Sequence, residues 1–169
     1  LKIDLNSKKL SMRRYWRLNF SRADSLESTD WQFAFNSLLD DEIQQQSMSD
    51  VPLGLYLSGG IDSGAILTGF SKKISKIDAF TIGFSNKDND LMRVNSLQKE
   101  FNFNKNIISF NPKSLESIED VIFSLEEPFG DLIICANYLL SNYASRKVSV
   151  VLSGEGGDES FIGYDHQRA

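Results

Sequence analysis

The nine residues Leu55-Tyr56-Leu57-Ser58-Gly59-Gly60-Ile61-Asp62-Ser63 constrain this chain more than any other stretch. An apolar run from Val51 to Leu57 stops at two glycines, and a helical pattern starts near Asp62 with Ile66, Leu67, Phe70 and Ile74 on one face. Strand, glycine turn and helix in that order set a helix N-terminus, with its unpaired N–H groups and about half a positive charge, at the end of a strand. Gly59 and Gly60 let backbone amides approach an anion with no side chain in the way. Ser58 and Ser63 add hydroxyl donors, so the stretch reads as a phosphate cradle. It is not a Walker A loop, because no Lys-Ser or Lys-Thr follows the glycines, and it lacks the GxGxxG spacing. The plainer alternative is a tight turn that only joins a strand to a helix.

Around this turn the chain alternates. Strands are expected near 53–57, 77–84, 105–110 and 148–152, and helices near 62–74, 89–101, 114–125 and 134–146. Leu91, Val94, Leu97 and Phe101 keep helical spacing, as do Leu115, Ile118, Val121 and Leu125. Such alternation predicts an α/β fold: a mainly parallel sheet with helices on both faces. Before it, Leu1, Ile3 and Leu5, then Asn6 to Lys9, then Leu10 and Met12 predict a short hairpin. Ser21 to Thr29 is polar and reads as a connection, with Ser28 or Thr29 as a cap for a helix whose stripe is Trp31, Phe35, Leu38 and Leu39. That stripe suits a core or an interface. Asn86 to Asp90 reads as a polar loop.

Composition narrows the classes. A net charge of −5 argues against broad nucleic-acid binding, and Arg13-Arg14-Tyr15-Trp16-Arg17 is better read as an exposed edge with an aromatic tucked under it than as a nucleic-acid patch. The lone Cys135 cannot form an internal disulfide and sits in an apolar run, which suits a buried structural thiol and a reducing, cytoplasmic setting. One histidine, His166, cannot build a histidine-rich metal site. No apolar run reaches membrane-spanning length, so no membrane partner is expected.

A second motif resembles the first. The strand Val148 to Leu152 ends in Ser153-Gly154-Glu155-Gly156-Gly157-Asp158-Glu159, again Leu-Ser-Gly, further glycine, acid. Ligands of open α/β sheets bind at the carboxyl ends of strands, where the strand order reverses. If the first and fourth strands of the sheet are neighbours, both turns face one crevice, with Asp62 and Asp158 on either side of the same phosphates. Carboxylates beside polyphosphate suit Mg²⁺. The plainer alternative for 153–159 is a surface loop with solvated acids.

Ser-Gly-Gly-Ile-Asp-Ser resembles the pyrophosphate-binding loop of the N-type ATP pyrophosphatases, the PP-loop superfamily. Together with Leu-Ser-Gly-Glu-Gly-Gly-Asp-Glu and Gly163-Tyr164 it resembles the synthetase domain of glutamine-dependent asparagine synthetases. Lys2 to Trp16 resembles the join after that family's glutaminase domain, and Glu126-Glu127-Pro128-Phe129-Gly130-Asp131 resembles a pocket segment of its bacterial members. The resemblance implies a three-layer, adenine nucleotide alpha hydrolase-like (Rossmann-like) fold, with 1–27 as hairpin and linker and 28–169 as the N-terminal part of the synthetase domain. It implies ATP and Mg²⁺ as cofactors. Leu57 and Ile82 would flank the adenine, with backbone groups reading it, and Ser58, Gly59, Gly60 and Ser63 would hold pyrophosphate. Asp62 and Asp158 would bind Mg²⁺. Ser153 and Gly154 would line the nucleotide, and Glu155 would be the catalytic residue beside the reacting centre. Glu127 and Asp131 would reach the amino-acid substrate; for Glu127 an exposed acid at a helix end is the alternative.

The implied reaction joins ammonia, released from glutamine by a separate domain, to the side chain of aspartate through a β-aspartyl-AMP intermediate. Two alternatives stay open: the same adenylation on a sugar acid, a β-amino acid closing to a lactam or a peptide, and a non-catalytic ATP-binding module. The chain departs from the family at Gly64, where a second serine is common, and the family's glutaminase domain and later lysine-bearing segment lie outside it. This stretch by itself is therefore expected to be inactive, and a homodimer would cover the apolar surface left open on the C-terminal side of the sheet.

Overall fold

Apart from Asp78 and Thr81, residues 53–57, 77–83 and 150–152 are apolar on both alternating faces, the pattern of strands covered on two sides. The computed structural model, which describes residues 1–17, 28–85 and 88–167, joins them and a fourth strand into one parallel sheet. Its strands are β3 (Leu53–Tyr56), β4 (Ile77–Gly83), β5 (Phe103–Ser109) and β6 (Val150–Leu152), in the order β5-β4-β3-β6. Leu55 stands opposite Ala79 of β4 and Leu152 of β6. The first and fourth strands of the sheet are thus neighbours, as the shared-crevice argument requires.

Adjacent strand residues point to opposite faces. On one face Leu55, Leu57, Ile77 and Ala79 are buried with Leu67 and Phe70 of α2 (Ile61–Ser71), Val94 of α3 (Asn89–Leu97) and Ile43 of α1 (Ser28–Gln46). On the other, Phe80 packs with Leu140 and Ala144 of α5 (Ile133–Ala144) and with Val148. A core aromatic such as Phe70 contributes enough that truncation to alanine costs about 3–5 kcal/mol. Cys135 is a free, fully buried thiol.

The element edges differ from expectation for local reasons. The segment 112–125 divides into a 3₁₀ turn, Pro112–Ser117, and α4 (Ile118–Leu125), because Asn111 and Ser114 form a reciprocal cap ahead of Pro112. β6 starts at Val150 because the Val148 N–H is spent on the Ala144 carbonyl at the end of α5. β5 starts early because Phe103 pairs with Ile77. α3 closes at Leu97, with the Phe101 N–H still bonded to the Leu97 carbonyl. Asp88, in the segment read as loop, caps α3 by accepting from Asp90 N at 2.9 Å.

The chain divides into two units, Leu1–Phe35 and Asn36–Ala169. The first holds the expected hairpin, β1 (Lys2–Ile3) antiparallel to β2 (Leu10–Ser11). Tyr15 and Trp16 are exposed, so no aromatic is tucked under the basic run. The connection read over 21–27 and the loop at 86–87 lie outside the described residues. Within α1, Trp31, Phe35 and Leu38 are exposed, while Leu39 and Ile43 meet the core, so the expected stripe is displaced toward the helix C-terminus. Among the described residues no helix is long and apolar enough to cross a membrane.

Candidate active site at the carboxyl ends of β3 and β6

After β3 the chain stays beside β4 for one residue. The Leu57 N–H donates to the Phe80 carbonyl at 2.9 Å, and the buried Thr81 hydroxyl donates to the Leu57 carbonyl at 2.7 Å. Thr81 thereby fixes the point at which the strand hands over to the glycine turn. Thr81→Val keeps the shape and removes that donor. It is expected to cost about 1–3 kcal/mol in urea denaturation, with Thr81→Ser recovering most of it.

The turn then reverses sharply. Gly59 has φ +77°, and α3 packs against it so closely that a Cβ there would meet Asp90 O at 3.0 Å and Arg93 Cβ at 2.8 Å. Gly60 is the N-cap of α2, with no side-chain cap bond. The Ser58 and Ser63 hydroxyls lie 3.1 Å apart, the Gly60 N–H donates to Ser58 Oγ at 3.3 Å, and Ser63 Oγ donates to the Gly60 carbonyl at 3.3 Å. Ser63 is buried and Ser58 exposed, so one hydroxyl braces the turn while the other faces outward. A helix start left uncapped by side chains, with a hydroxyl beside it, suits an anionic ligand.

The second turn lies directly on the first. A Cβ on Gly154 would fall 2.9 Å from Ser63 N and 3.0 Å from Asp62 Cβ, and one on Gly157 would fall 2.6 Å from Asp62 Cγ. The backbone of the turn after β6 therefore rests on the first turn of α2, and Asp62 is held between them. α6 (Gly157–Phe161) begins there and carries Asp158 and Glu159 in its first turn.

Both turns open into one cleft of about 480 Å³. Leu57, Ser58, Gly60, Asp62, Ser63, Ile82, Ser153, Gly154, Glu155 and Asp158 all line it, and Gly59 backs it from the α3 side. Leu57 is 1% exposed, its side chain in the core on the α2 face. The apolar wall comes instead from Tyr56 and Ile82, on the opposite face of the sheet, with Ile133 and Leu140 of α5. Glu127 and Asp131 do not line this cleft. Glu127 lies on a separate apolar groove with Ile118, Ile122 and Phe129. Asp131 braces the start of α5, accepting from Ile133 N at 2.9 Å. Thr81, Asp90, Asn137, Glu159 and Tyr164 line the cleft without having been assigned from the sequence. The alternation of strand residues, which sets Tyr56 on the face opposite Leu57, is the one local signal that could have pointed to it.

Among the described residues five acids line the cleft, namely Asp62, Asp90, Glu155, Asp158 and Glu159, and no Lys or Arg does. A polyphosphate would meet repulsion there unless cations accompanied it. Carboxylate oxygens at the phosphate cradle are the donor type Mg²⁺ takes, and Mg²⁺ on a nucleotide needs only one or two of them, keeping waters elsewhere. Asp62 and Asp158, both lining the cleft at the two glycine turns, supply that donor type, while among the described residues no cluster of three or more metal-ligating side chains exists.

Tyr164 donates to Glu159 Oε1 at 2.7 Å and stacks on His166 with ring centroids 5.3 Å apart. That hydrogen bond, aided by burial and by the charges of Glu159, Asp158 and Glu155, pushes the Tyr164 phenol up to about 12. The same bond holds Glu159 below its usual carboxylate value. The phenol's contribution to stability is complete below its ordinary pKa of 10 and is lost as pH rises through about 12. The Glu159 contribution is present above its ordinary value and is lost as pH falls through its lowered one. Ultraviolet titration should show Tyr164 ionising late, and Glu159→Gln should bring it down toward its ordinary value.

The sequence profile of the asparagine synthase family matches residues 34–169. A putative glutamine-hydrolysing asparagine synthetase of Methanocaldococcus jannaschii is 31% identical over 170 residues, covering 95% of this chain and 32% of that protein. Glutamine-hydrolysing asparagine synthetase 1 of Bacillus subtilis is 25% identical over 162 residues, covering 94% of this chain and 25% of its own length. This chain thus spans about a third or less of these relatives. Among solved structures, an NH3-dependent NAD synthetase from Campylobacter jejuni aligns with a TM-score of 0.52 at 27% identity, over 80% of this chain and 61% of that one. The profile covers both glycine turns and every strand of the sheet, and on that ground the chain belongs to the asparagine synthase family.

Proposed function

We propose that this chain carries the ATP site for amide-bond formation in which aspartate is activated as β-aspartyl-AMP and converted by ammonia to asparagine. The observation that carries the reading is the contact of the two turns, with Gly154 and Gly157 of one against Ser63 N and the Asp62 carboxylate of the other. The names of the relatives supply the nitrogen source, since one set hydrolyses glutamine and the other protein uses ammonia.

The chemistry follows from the placement. Ser58 and the first-turn amides of α2 hold the β- and γ-phosphates at the uncapped helix start, which leaves the α-phosphorus toward the second turn. An aspartate carboxylate oxygen attacks that phosphorus, its bond to the bridging oxygen breaks, and pyrophosphate leaves with the charge. The amides and Ser58 meet that growing charge without reorganising. Asp62 and Asp158 would hold Mg²⁺, which neutralises phosphate charge when bound. Ammonia then attacks the acyl carbon of the adenylate, the bond from that carbon to the phosphate oxygen breaks and AMP leaves; Glu155, which lines the cleft, would take the proton that ammonia loses. Tyr56 and Ile82 offer the apolar wall an adenine ring needs.

Calorimetric titration tests this. Mg–ATP should bind, and a stable β-aspartyl-AMP analogue should bind about tenfold or more tightly than AMP, because reaction intermediates gain contacts that the product lacks. Equal affinity for analogues carrying other acyl groups would overturn aspartate as acceptor. Absence of ATP binding would overturn the nucleotide site itself.

A further inference from the structure

On the nucleotide reading the cleft takes a polyanion, and yet among the described residues it is lined by five acids and no Lys or Arg. Among the described residues, α3 sets a cation beside the phosphate turn. Arg93 Cβ lies against Gly59, where a Cβ on the glycine would approach it to 2.8 Å. The side chain runs along a groove it shares with Gly59 and Gly60, and Gly60 also lines the cleft. Its guanidinium meets Asp90 Oδ1 at 3.4 Å, and Asp90 lines the cleft as well. Arg93 is therefore anchored at the turn on the side of the neighbouring groove, with its guanidinium paired to Asp90, a residue that lines the cleft.

We propose that Arg93 is a pyrophosphate-binding residue, held by Asp90 and transferred to the leaving phosphates when nucleotide occupies the turn. This rests on the nucleotide reading given above. The pair is long for a charge-assisted bond and both side chains are about half exposed or more, 61% for Arg93 and 48% for Asp90. Such a pair is weakly held. A phosphate offers a planar guanidinium two parallel acceptors and a larger charge than one carboxylate does. Asp90 is then a competitor: it keeps Arg93 in place in the empty site and opposes the anion once it arrives.

The opposed signs make the test. The chain is titrated with Mg–pyrophosphate and with Mg–ATP, comparing Arg93→Gln, Arg93→Lys and Asp90→Asn. Arg93→Gln should weaken pyrophosphate roughly five- to tenfold and flatten its salt dependence, with Arg93→Lys recovering part of the loss. Asp90→Asn should tighten pyrophosphate about two- to threefold in the parent and by less in the Arg93→Gln background, because the loss of a carboxylate helps in both while the release of Arg93 helps only where Arg93 is present. If Arg93→Gln binds pyrophosphate within a factor of about two of the parent while Asp62→Asn or Gly59→Ala loses it, the Arg93 role fails and the nucleotide site stands. If the parent chain binds neither ligand, both fail together.

Discussion

Gly59→Ala is expected to remove most nucleotide binding and to destabilise the fold by about 2–5 kcal/mol, the sum of a left-handed backbone forced on an alanine and an overpacked contact. Both causes act at one atom. The residue has φ +77°, and the new methyl would press on Asp90 O at 3.0 Å and Val94 N at 3.3 Å, backbone groups of a helix that cannot yield as a side-chain tip would. Relief requires either α3 to move off the sheet, exposing Val94, or the turn to flatten, which withdraws its amides from the cleft. Against a typical total stability of about 5–15 kcal/mol this is a large fraction. Gly64→Ala is the comparator five residues on. Nothing lies within 4 Å of a Cβ there and the residue is within α2, so the exchange should stabilise by about 0.5–1 kcal/mol. Urea denaturation of the two variants should move in opposite directions. A Gly59→Ala protein as stable as the parent would show that the turn has a relaxed form that the packing of α3 does not reveal.

The second large effect is expected at Asp62. Asp62→Asn preserves shape within the tight contact to Gly157 and removes a charge. If Asp62 meets Mg²⁺ directly or through one water, Mg–ATP affinity should fall about ten- to a hundredfold. Metal-free ATP should bind as well as before or better, because one of the five carboxylates facing the phosphates is gone. Fluorescence or calorimetric titration with and without Mg²⁺ reads both. Equal losses in the two conditions would show that Asp62 acts only by bracing the turn.

What the sequence determined by itself was the local grammar. Strand and helix periods, stopped by glycine, were enough for an α/β sheet, for a helix N-terminus after β3 and for a second such turn after β6, because these are set by neighbours within a few residues. Leu67 and Phe70 fell on the buried face for the same reason. The 3₁₀ turn at 112–117 and the Asp88 cap are local too, and were legible in principle from Asn111-Pro112 and from Asp88 ahead of α3. Tertiary structure decided the rest. Which face of the sheet bears the cleft depends on strand order and on α5, so Leu57 is core and Tyr56 faces the cleft, although they are adjacent and equally apolar in pattern. Thr81 meets the Leu57 carbonyl, and Asp90 and Arg93 reach the phosphate turn, only because β4 and α3 pack beside it. Glu127 stands on another groove for the converse reason, since its position follows from how α4 lies and not from its neighbours in the chain. Periodicity specifies which residues share a stripe, but the partner of that stripe is chosen by contacts between residues tens of positions apart.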